Sequence, residues 1–276
     1  MKTTQIIASN ANDLFVALAN RILKEGIVSK PRNLKTIEIN NVMLILTNPK
    51  KSFCNLEARA ASKSYLAGEI AWYMGGSYDV SEIAKSSKFW LDLADKNGKI
   101  QSNYGLITFR EKSGDFKNQF YWCLKVLAKD KNSRQAIINI NQPRHKKFKT
   151  KDFPCAIAQT FRIIDNELHC NVFIRSNDMI FGLTYDMPWF TLVQWMLLKE
   201  LKNHHYPDLK LGHYNHFACS MHVYERHFKM LKDIATNPNN GREKEETQFF
   251  SLNLGFDKKD WNIESFIKKY REEHSN

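Results

Sequence analysis

The stretch from residue 156 to residue 201 constrains the fold more than any other. Residues 156–164 and 168–174 are two runs dominated by apolar and β-branched side chains, with Asp165-Asn166 near their junction. Asp and Asn tolerate the positive φ that a two-residue turn requires, so the pair predicts an antiparallel hairpin. Residues 187–201 follow, apolar on nearly every helical face. A helix of that kind has to be buried. A hairpin followed by a buried helix fits an α+β fold. Elsewhere, Leu14, Leu18 and Ile22 are spaced four apart and predict an amphipathic helix over 11–25, capped by Asn12 or Asp13. Residues 35–46 read as strands with a turn at Asn40-Asn41. Helices are expected over 62–74, stopped by Gly75-Gly76, and over 119–129, with a strand over 135–140. The charged tail from Lys258 is expected to be helical.

No repeat, low-complexity run or Pro/Gly-rich break divides the chain, so residues 1–276 are expected to form a single domain. The balance of 41 Lys+Arg against 29 Asp+Glu gives a net charge of +12. That favours an anionic partner, either nucleic acid or a small phosphorylated ligand. Cys54, Cys123, Cys155, Cys170 and Cys219 form no CxxC pair, which argues against a disulfide scaffold. The opening MKTTQIIASNAND lacks a signal-peptide core, and the most apolar stretch, 189–198, falls far short of the roughly 18 residues of a membrane span. A cytoplasmic protein without a membrane partner is expected.

The hairpin register carries a chemical implication. With Asp165-Asn166 as the turn, Ile164 faces Glu167, Ala156 faces Arg175 and Cys155 faces Ser176. Opposed Cβ atoms lie about 5 Å apart, and a diagonal arginine still reaches. A neighbouring guanidinium favours thiolate over thiol, which is how a cysteine is made nucleophilic. The bland alternative is a small core cysteine and a surface arginine. Pro154 before the cysteine and the polar run Arg175-Ser176-Asn177-Asp178, followed by Phe181-Gly182, argue for a site instead.

These residues resemble the centre of the thymidylate synthase family. Further matches occur in order: Gly68-Glu69-Ile70-Ala71-Trp72, Trp90 and Tyr104 within FWLDLADKNGKIQSNYG, Asn132-Ser133-Arg134, and His222-Val223-Tyr224. The resemblance runs from about Gly26 to His227 and implies a mixed β-sheet layered with helices and a sheet-mediated homodimer. It implies that Cys155 attacks carbon 6 of a pyrimidine nucleoside monophosphate, activating carbon 5 towards the one-carbon unit of the cosubstrate 5,10-methylenetetrahydrofolate. Glu69 would handle proton transfer and order water. Arg175, Ser176 and Arg32 would bind the phosphate, with Arg134 reaching the phosphate of the partner subunit. His222 and Tyr224 would hold the sugar hydroxyl, and Tyr104 would be the active-site tyrosine. Trp90 and Asp178 would contact the folate, with Gly182 in the same motif.

One position redirects the resemblance. Thymidylate synthases carry Asn where this chain has Asp186. An Asn amide matches the uracil edge, whereas a carboxylate accepts from the amino group of cytosine, and from ring nitrogen 3 when that nitrogen carries a proton. With RSND at 175–178, IQSNYG at 101–106 and MHVYERHF at 221–228, the chain looks like the deoxycytidylate 5-hydroxymethylase branch. There, loss of tetrahydrofolate leaves an exocyclic methylene to which water adds, where a synthase transfers hydride. Asp186 could also be a plain helix cap before Met187-Pro188. The chain departs from the family at Gln135, where a second arginine is usual, at Ala156, and at Ala218-Cys219-Ser220-Met221. The ending YREEHSN lacks the apolar tail of the synthases.

Other readings compete. The same fold could act on CMP or dUMP, or methylate dCMP. The run from Arg144 to Lys151 could bind nucleic acid, though such runs are more often solvated loops, and a polyglutamylated folate would also explain a basic rim. His213, His216, Cys219 and His222 recur every three residues, a spacing considered for zinc, but without CxxC support no metal is expected.

Overall fold

The computed structural model describes residues 3–237; the expected C-terminal helix and the YREEHSN ending lie outside them. In chain order the elements are β1 (Thr4–Ala8), α1 (Ala11–Glu25), β2 (Ile27–Ser29), β3 (Thr36–Leu46), α2 (Lys63–Gly75), α3 (Val80–Ala84), α4 (Phe89–Leu93), α5 (Tyr104–Phe109) and α6 (Gln119–Lys129). Then come β4 (Ile137–Asn139), β5 (Ala156–Ile164), β6 (Glu167–Ile174), β7 (Asn177–Asp178), α7 (Thr184–His204), β8 (Lys210–Tyr224) and α8 (Phe228–Thr236). The α+β expectation holds. The described residues gather into two compact units interleaved along the chain. One comprises 3–61, 168–194 and 211–237, and the other 62–167 and 195–210.

The first unit is built on a mixed sheet in the order β1-β3-β8-β6, with β2 on β3 and β7 on β8. β1 runs parallel to β3, and β3 runs antiparallel to β8 from Thr36 opposite Tyr224 to Leu46 opposite Tyr214. The expected turn at Asn40-Asn41 is not there. β3 continues through it, because Asn41 takes a left-handed φ of 55° that kinks the strand without reversing it. Helix α1 starts from Asn10, whose side chain accepts from the Asp13 amide, so the cap falls earlier than Asn12 or Asp13. It packs on β1, β3 and α8 and buries Leu14, Phe15, Leu18 and Ile22 completely. Each such side chain contributes about 1.5–3 kcal/mol.

α7 is buried without interruption from Met187 to Leu198, as its all-round apolar sequence demands. Two of its buried polar side chains find partners within the first unit. Gln194 donates its Nε2 to the carbonyls of Leu168 and Gly212, and Thr191 meets the Ser52 hydroxyl at 2.9 Å. α7 is entered through a π-helical turn, Met179–Leu183, capped by Asp178. Asp186 therefore lies inside the first turn of α7, not at its cap.

The second unit packs α2 against α5, α5 against α6, and α6 against β4, which pairs antiparallel with β5. Asn103 accepts from the Leu106 amide to cap α5 and donates to the Trp72 and Ser77 carbonyls, tying the end of α2 to the start of α5. Gly105 makes the contact possible, since a Cβ there would stand 2.0 Å from the Tyr73 carbonyl oxygen. α2 ends at Gly76, whose φ of +66° gives the left-handed stop expected from Gly75-Gly76. Beyond β5, Asp165 and Asn166 both have positive φ, 50° and 60°, the two-residue turn that the sequence predicts.

Candidate active site

His222 is held between acidic neighbours by strand pairing alone. Glu38 of β3 lies opposite it on one side and Asp178 of β7 on the other. The imidazole is 8% exposed, and burial pushes its pKa down to about 4; Glu38 opposes this, while the charges of Arg32 and Arg175 reinforce it. The two expected phosphate arginines thus act on one histidine, which is neutral near pH 7. A neutral imidazole offers one donor and one acceptor, suited to a hydroxyl. Tyr224 meets the His222 ring edge-on at 5.1 Å, and the Arg226 guanidinium lies 4.8 Å over the Tyr224 ring. Ser220 donates to Glu38 at 2.6 Å. Arg32 is exposed, and both it and Asn33 have left-handed φ, 53° and 62°. Two consecutive side-chain-bearing residues in that region are strained, a feature that clusters at ligand sites.

Asn177 and Asp186 form the second feature of this unit. The Asn177 Nδ2 donates to Asp186 Oδ2 at 2.8 Å. Asn177 is buried, while Asp186 keeps partial exposure. Burial pushes the Asp186 pKa up to about 7, the Asn177 bond lowers it, and the charge of Asp178 raises it further. Asp178 accepts the Ile180 amide at 2.8 Å, and burial lifts its pKa to about 6 against that bond and nearby arginine charge. Gly182 permits the close approach, since a Cβ there would stand 2.7 Å from Asn177 Nδ2.

Arg59 escaped the sequence reading because nothing around it forms a pattern. It is 3% exposed, donates Nε to Thr184 Oγ1 at 2.8 Å, and places its guanidinium over the rings of Phe181 and Tyr185. Its Nη2 is buried without a hydrogen-bond partner among the described residues, and its charge reaches Asp178.

In the second unit, Glu69 of α2 is 6% exposed and accepts the Tyr65 hydroxyl at 2.9 Å. Tyr65 in turn accepts Trp90 Nε1–H at 3.0 Å. The structure therefore joins Glu69 and Trp90 through Tyr65, which lies one helical turn before Glu69 and was not singled out from sequence. The half-buried Trp90 packs on Trp72 at 5.1 Å, Trp72 stacks on Tyr73, and Tyr73 stacks on Tyr104 at 5.5 Å, making one aromatic row. Cys155 is half-buried just before β5, and Arg134 is exposed in the loop between α6 and β4. Arg175 and Ser176 are half-buried in the short link between β6 and β7.

His213, His216, Cys219 and His222 all lie on β8, where residues three apart point to opposite faces. Among the described residues, no group of three His, Cys, Asp or Glu stands ready to hold a metal ion. In the basic run, Arg144 is tied to Glu111 and Tyr78, and His145 is buried, accepting the Gln142 amide at 3.1 Å. Lys146, Lys147, Lys149 and Lys151 are exposed. No helix among the described residues is long and apolar enough to cross a membrane.

The thymidylate synthase family model matches residues 13–272. The chain belongs to the thymidylate synthase family. Deoxycytidylate 5-hydroxymethyltransferase of Enterobacteria phage T6 is 30% identical over 215 residues, covering 75% of this chain and 83% of that protein. Thymidylate synthase of Buchnera aphidicola subsp. Baizongia pistaciae (strain Bp) is 23% identical over 225 residues, covering 79% and 81%. Deoxyuridylate hydroxymethyltransferase of Bacillus phage SP01 is 27% identical over 238 residues, covering 82% and 61%. The chain is thus an enzyme of a family of pyrimidine C5 one-carbon transferases, which use methylenetetrahydrofolate as cosubstrate.

Proposed function

We propose that this enzyme is a deoxycytidylate 5-hydroxymethyltransferase. The carrying observation is the Asp186 carboxyl, partly exposed with its Oδ2 occupied by Asn177, at the position where the synthases carry an amide. With a pKa of about 7, Asp186 shares one proton with cytosine at neutral pH: it donates to ring nitrogen 3 and accepts from the amino group. A uracil edge, with N–H and carbonyl exchanged, is mismatched on both.

Cys155 adds its sulfur to carbon 6, and the displaced π electrons make carbon 5 nucleophilic. The Asp165–Asn166 turn supports the strand register from which that role is read. Arg32 and Arg175 hold the phosphate with Ser176, and His222 with Tyr224 meets the sugar hydroxyl. When bound, methylenetetrahydrofolate supplies the one-carbon unit. Asp178, partly exposed and with acceptor capacity beyond its helix-capping bond, suits the ring N–H groups of a pterin, and the half-buried indole of Trp90 suits its face. Glu69, steadied by Tyr65, moves protons and orders the water that completes the hydroxymethyl group. The active form is a homodimer in which Arg134 reaches the phosphate of the other copy. Exposed Phe173, stacked on Phe217 at 5.0 Å, supports an apolar sheet face as the contact.

The test is mass spectrometry of the nucleotide after incubation of dCMP or dUMP with methylenetetrahydrofolate, beside a Cys155→Ala control. Gain of one CH2O on dCMP, lost in the control, is expected. Gain of CH2, or reaction of dUMP alone, would overturn the reading.

A further inference from the structure

Asp186 stands at the end of a buried hydrogen-bond chain. Tyr214 Oη lies 2.8 Å from His216 Nδ1, His216 Nε2 lies 3.0 Å from Asn177 Oδ1, and Asn177 Nδ2 lies 2.8 Å from Asp186 Oδ2. Tyr214, His216 and Asn177 are each 1% exposed or less. His216 and Tyr214 sit two apart on β8, on one face of the strand, and Asn177 arrives on β7 beside it. The histidine entered the sequence reading only as a candidate metal ligand.

The direction of this chain is settled from its far end. Among the described residues, the only hydrogen-bond partner of the Tyr214 hydroxyl is His216 Nδ1. Leaving a buried donor unpaired is costlier than leaving a lone pair idle, so Tyr214 donates. Burial holds the Tyr214 pKa well above its usual value and that of His216 down at about 3, so both groups are neutral. A neutral imidazole that accepts at Nδ1 donates at Nε2. That N–H faces the Asn177 oxygen and fixes the amide, whose own N–H then faces Asp186.

We infer that His216 is a positioning residue for base selection: by holding the Asn177 amide with its nitrogen towards Asp186, it keeps the Asp186 proton free for the base. If the amide turned over, its oxygen would face Asp186. The carboxyl proton would then be committed to Asn177, and Asp186 would offer ring nitrogen 3 of cytosine no donor. Discrimination between cytosine and uracil would shrink although Asp186 itself was unchanged. This inference rests on the proposed role of Asp186.

Two variants separate positioning from packing. His216→Asn places a side-chain amide near the old Nδ1, within reach of Tyr214 but not of Asn177. His216→Gln extends its amide nitrogen towards the old Nε2 and restores the donor. Steady-state kcat and KM for dCMP and dUMP are measured for both variants and for the unaltered enzyme. Imidazole ¹⁵N shifts of the unaltered protein report which ring nitrogen of His216 carries the proton. The ratio of kcat/KM for dCMP to that for dUMP is expected to fall by roughly tenfold in His216→Asn, mostly through KM, and to stay within about threefold in His216→Gln, because one lost hydrogen bond to a charged or protonated carboxyl is of that size. The proton is expected on Nε2. An unchanged ratio in His216→Asn, an equal loss in both variants, or a proton on Nδ1 would overturn the inference. Absence of dCMP turnover in the unaltered enzyme would sink the proposed function instead, and the ¹⁵N shifts would still decide the direction of the chain.

Discussion

Gly182 and Asn177 are packed so closely that a methyl group on the glycine would stand 2.7 Å from the Asn177 amide nitrogen. Real carbon atoms do not approach that near, so Gly182→Ala has to displace the amide from Asp186. The resemblance implies a folate-side place for Gly182, and the structure also sets it against Asn177, beside the pair proposed to select the base. The expected outcome is a rise of roughly tenfold in KM for the nucleotide, the cost of one hydrogen bond to a carboxyl group, with a smaller change in KM for folate. Comparing the two KM values checks this; a change confined to folate would show that Gly182 serves the folate side alone.

Tyr65 links two residues of its unit that the family pattern marks, Trp90 and Glu69. Tyr65→Phe keeps the ring and removes both hydrogen bonds. Glu69 then loses a donor that helps orient it, so kcat is expected to fall by about tenfold while KM for the nucleotide changes little. Single-turnover rates with saturating substrates test it; an unchanged rate would show that Glu69 is oriented by other groups.

Much of this arrangement was legible in the sequence, for identifiable reasons. The apolar face of α1, the all-round apolar α7 and the Asp165-Asn166 turn are patterns that local chemistry writes directly, and each appears where expected. Arg175, Asp178 and His222 could be read because they sit in a motif. What escaped were relations made by tertiary packing. Asn41 resembles a hairpin turn until the long pairing of β3 with β8 shows that it only bends the strand. Arg59 has no neighbour in sequence that announces its burial, and its partner Thr184 lies 125 residues away. The spacing of three from His216 to His222 looks like ligand spacing, yet a strand sends alternate residues to opposite faces.

Gly105 offers a test of stability independent of function. Its missing Cβ would lie 2.0 Å from a backbone oxygen of α2, an obstacle that cannot rotate away. Gly105→Ala must separate α5 from α2 and is expected to cost about 3 kcal/mol, within the range for overpacked interiors. A lowered urea midpoint with unchanged slope would bear this out; a midpoint equal to that of the unaltered protein would mean that the two helices are less closely held.

Asp186 and His216 pull stability in opposite directions as pH changes. The Asp186 pKa is raised to about 7, so the folded protein keeps a proton that the unfolded chain releases above about 4. That contribution is fully present at low pH and is lost as pH rises through 7. The His216 pKa is lowered to about 3, so the unfolded chain takes up a proton below 6.5 that the folded protein refuses. Its contribution is full above 6.5 and is lost as pH falls towards 3. Between pH 4 and 6.5 the two offset each other. Asp186→Asn removes only the first effect. The variant is therefore expected to lose stability more steeply than the unaltered protein between pH 7 and pH 5, read from urea midpoints at the two pH values. The same proton governs the ligand: dCMP affinity should weaken by up to about tenfold per pH unit above 7 in the unaltered enzyme and stay flat in the variant. Parallel pH curves for the two proteins in both measurements would show that Asp186 holds no proton near neutrality, and the pairing proposed for cytosine would have to be abandoned.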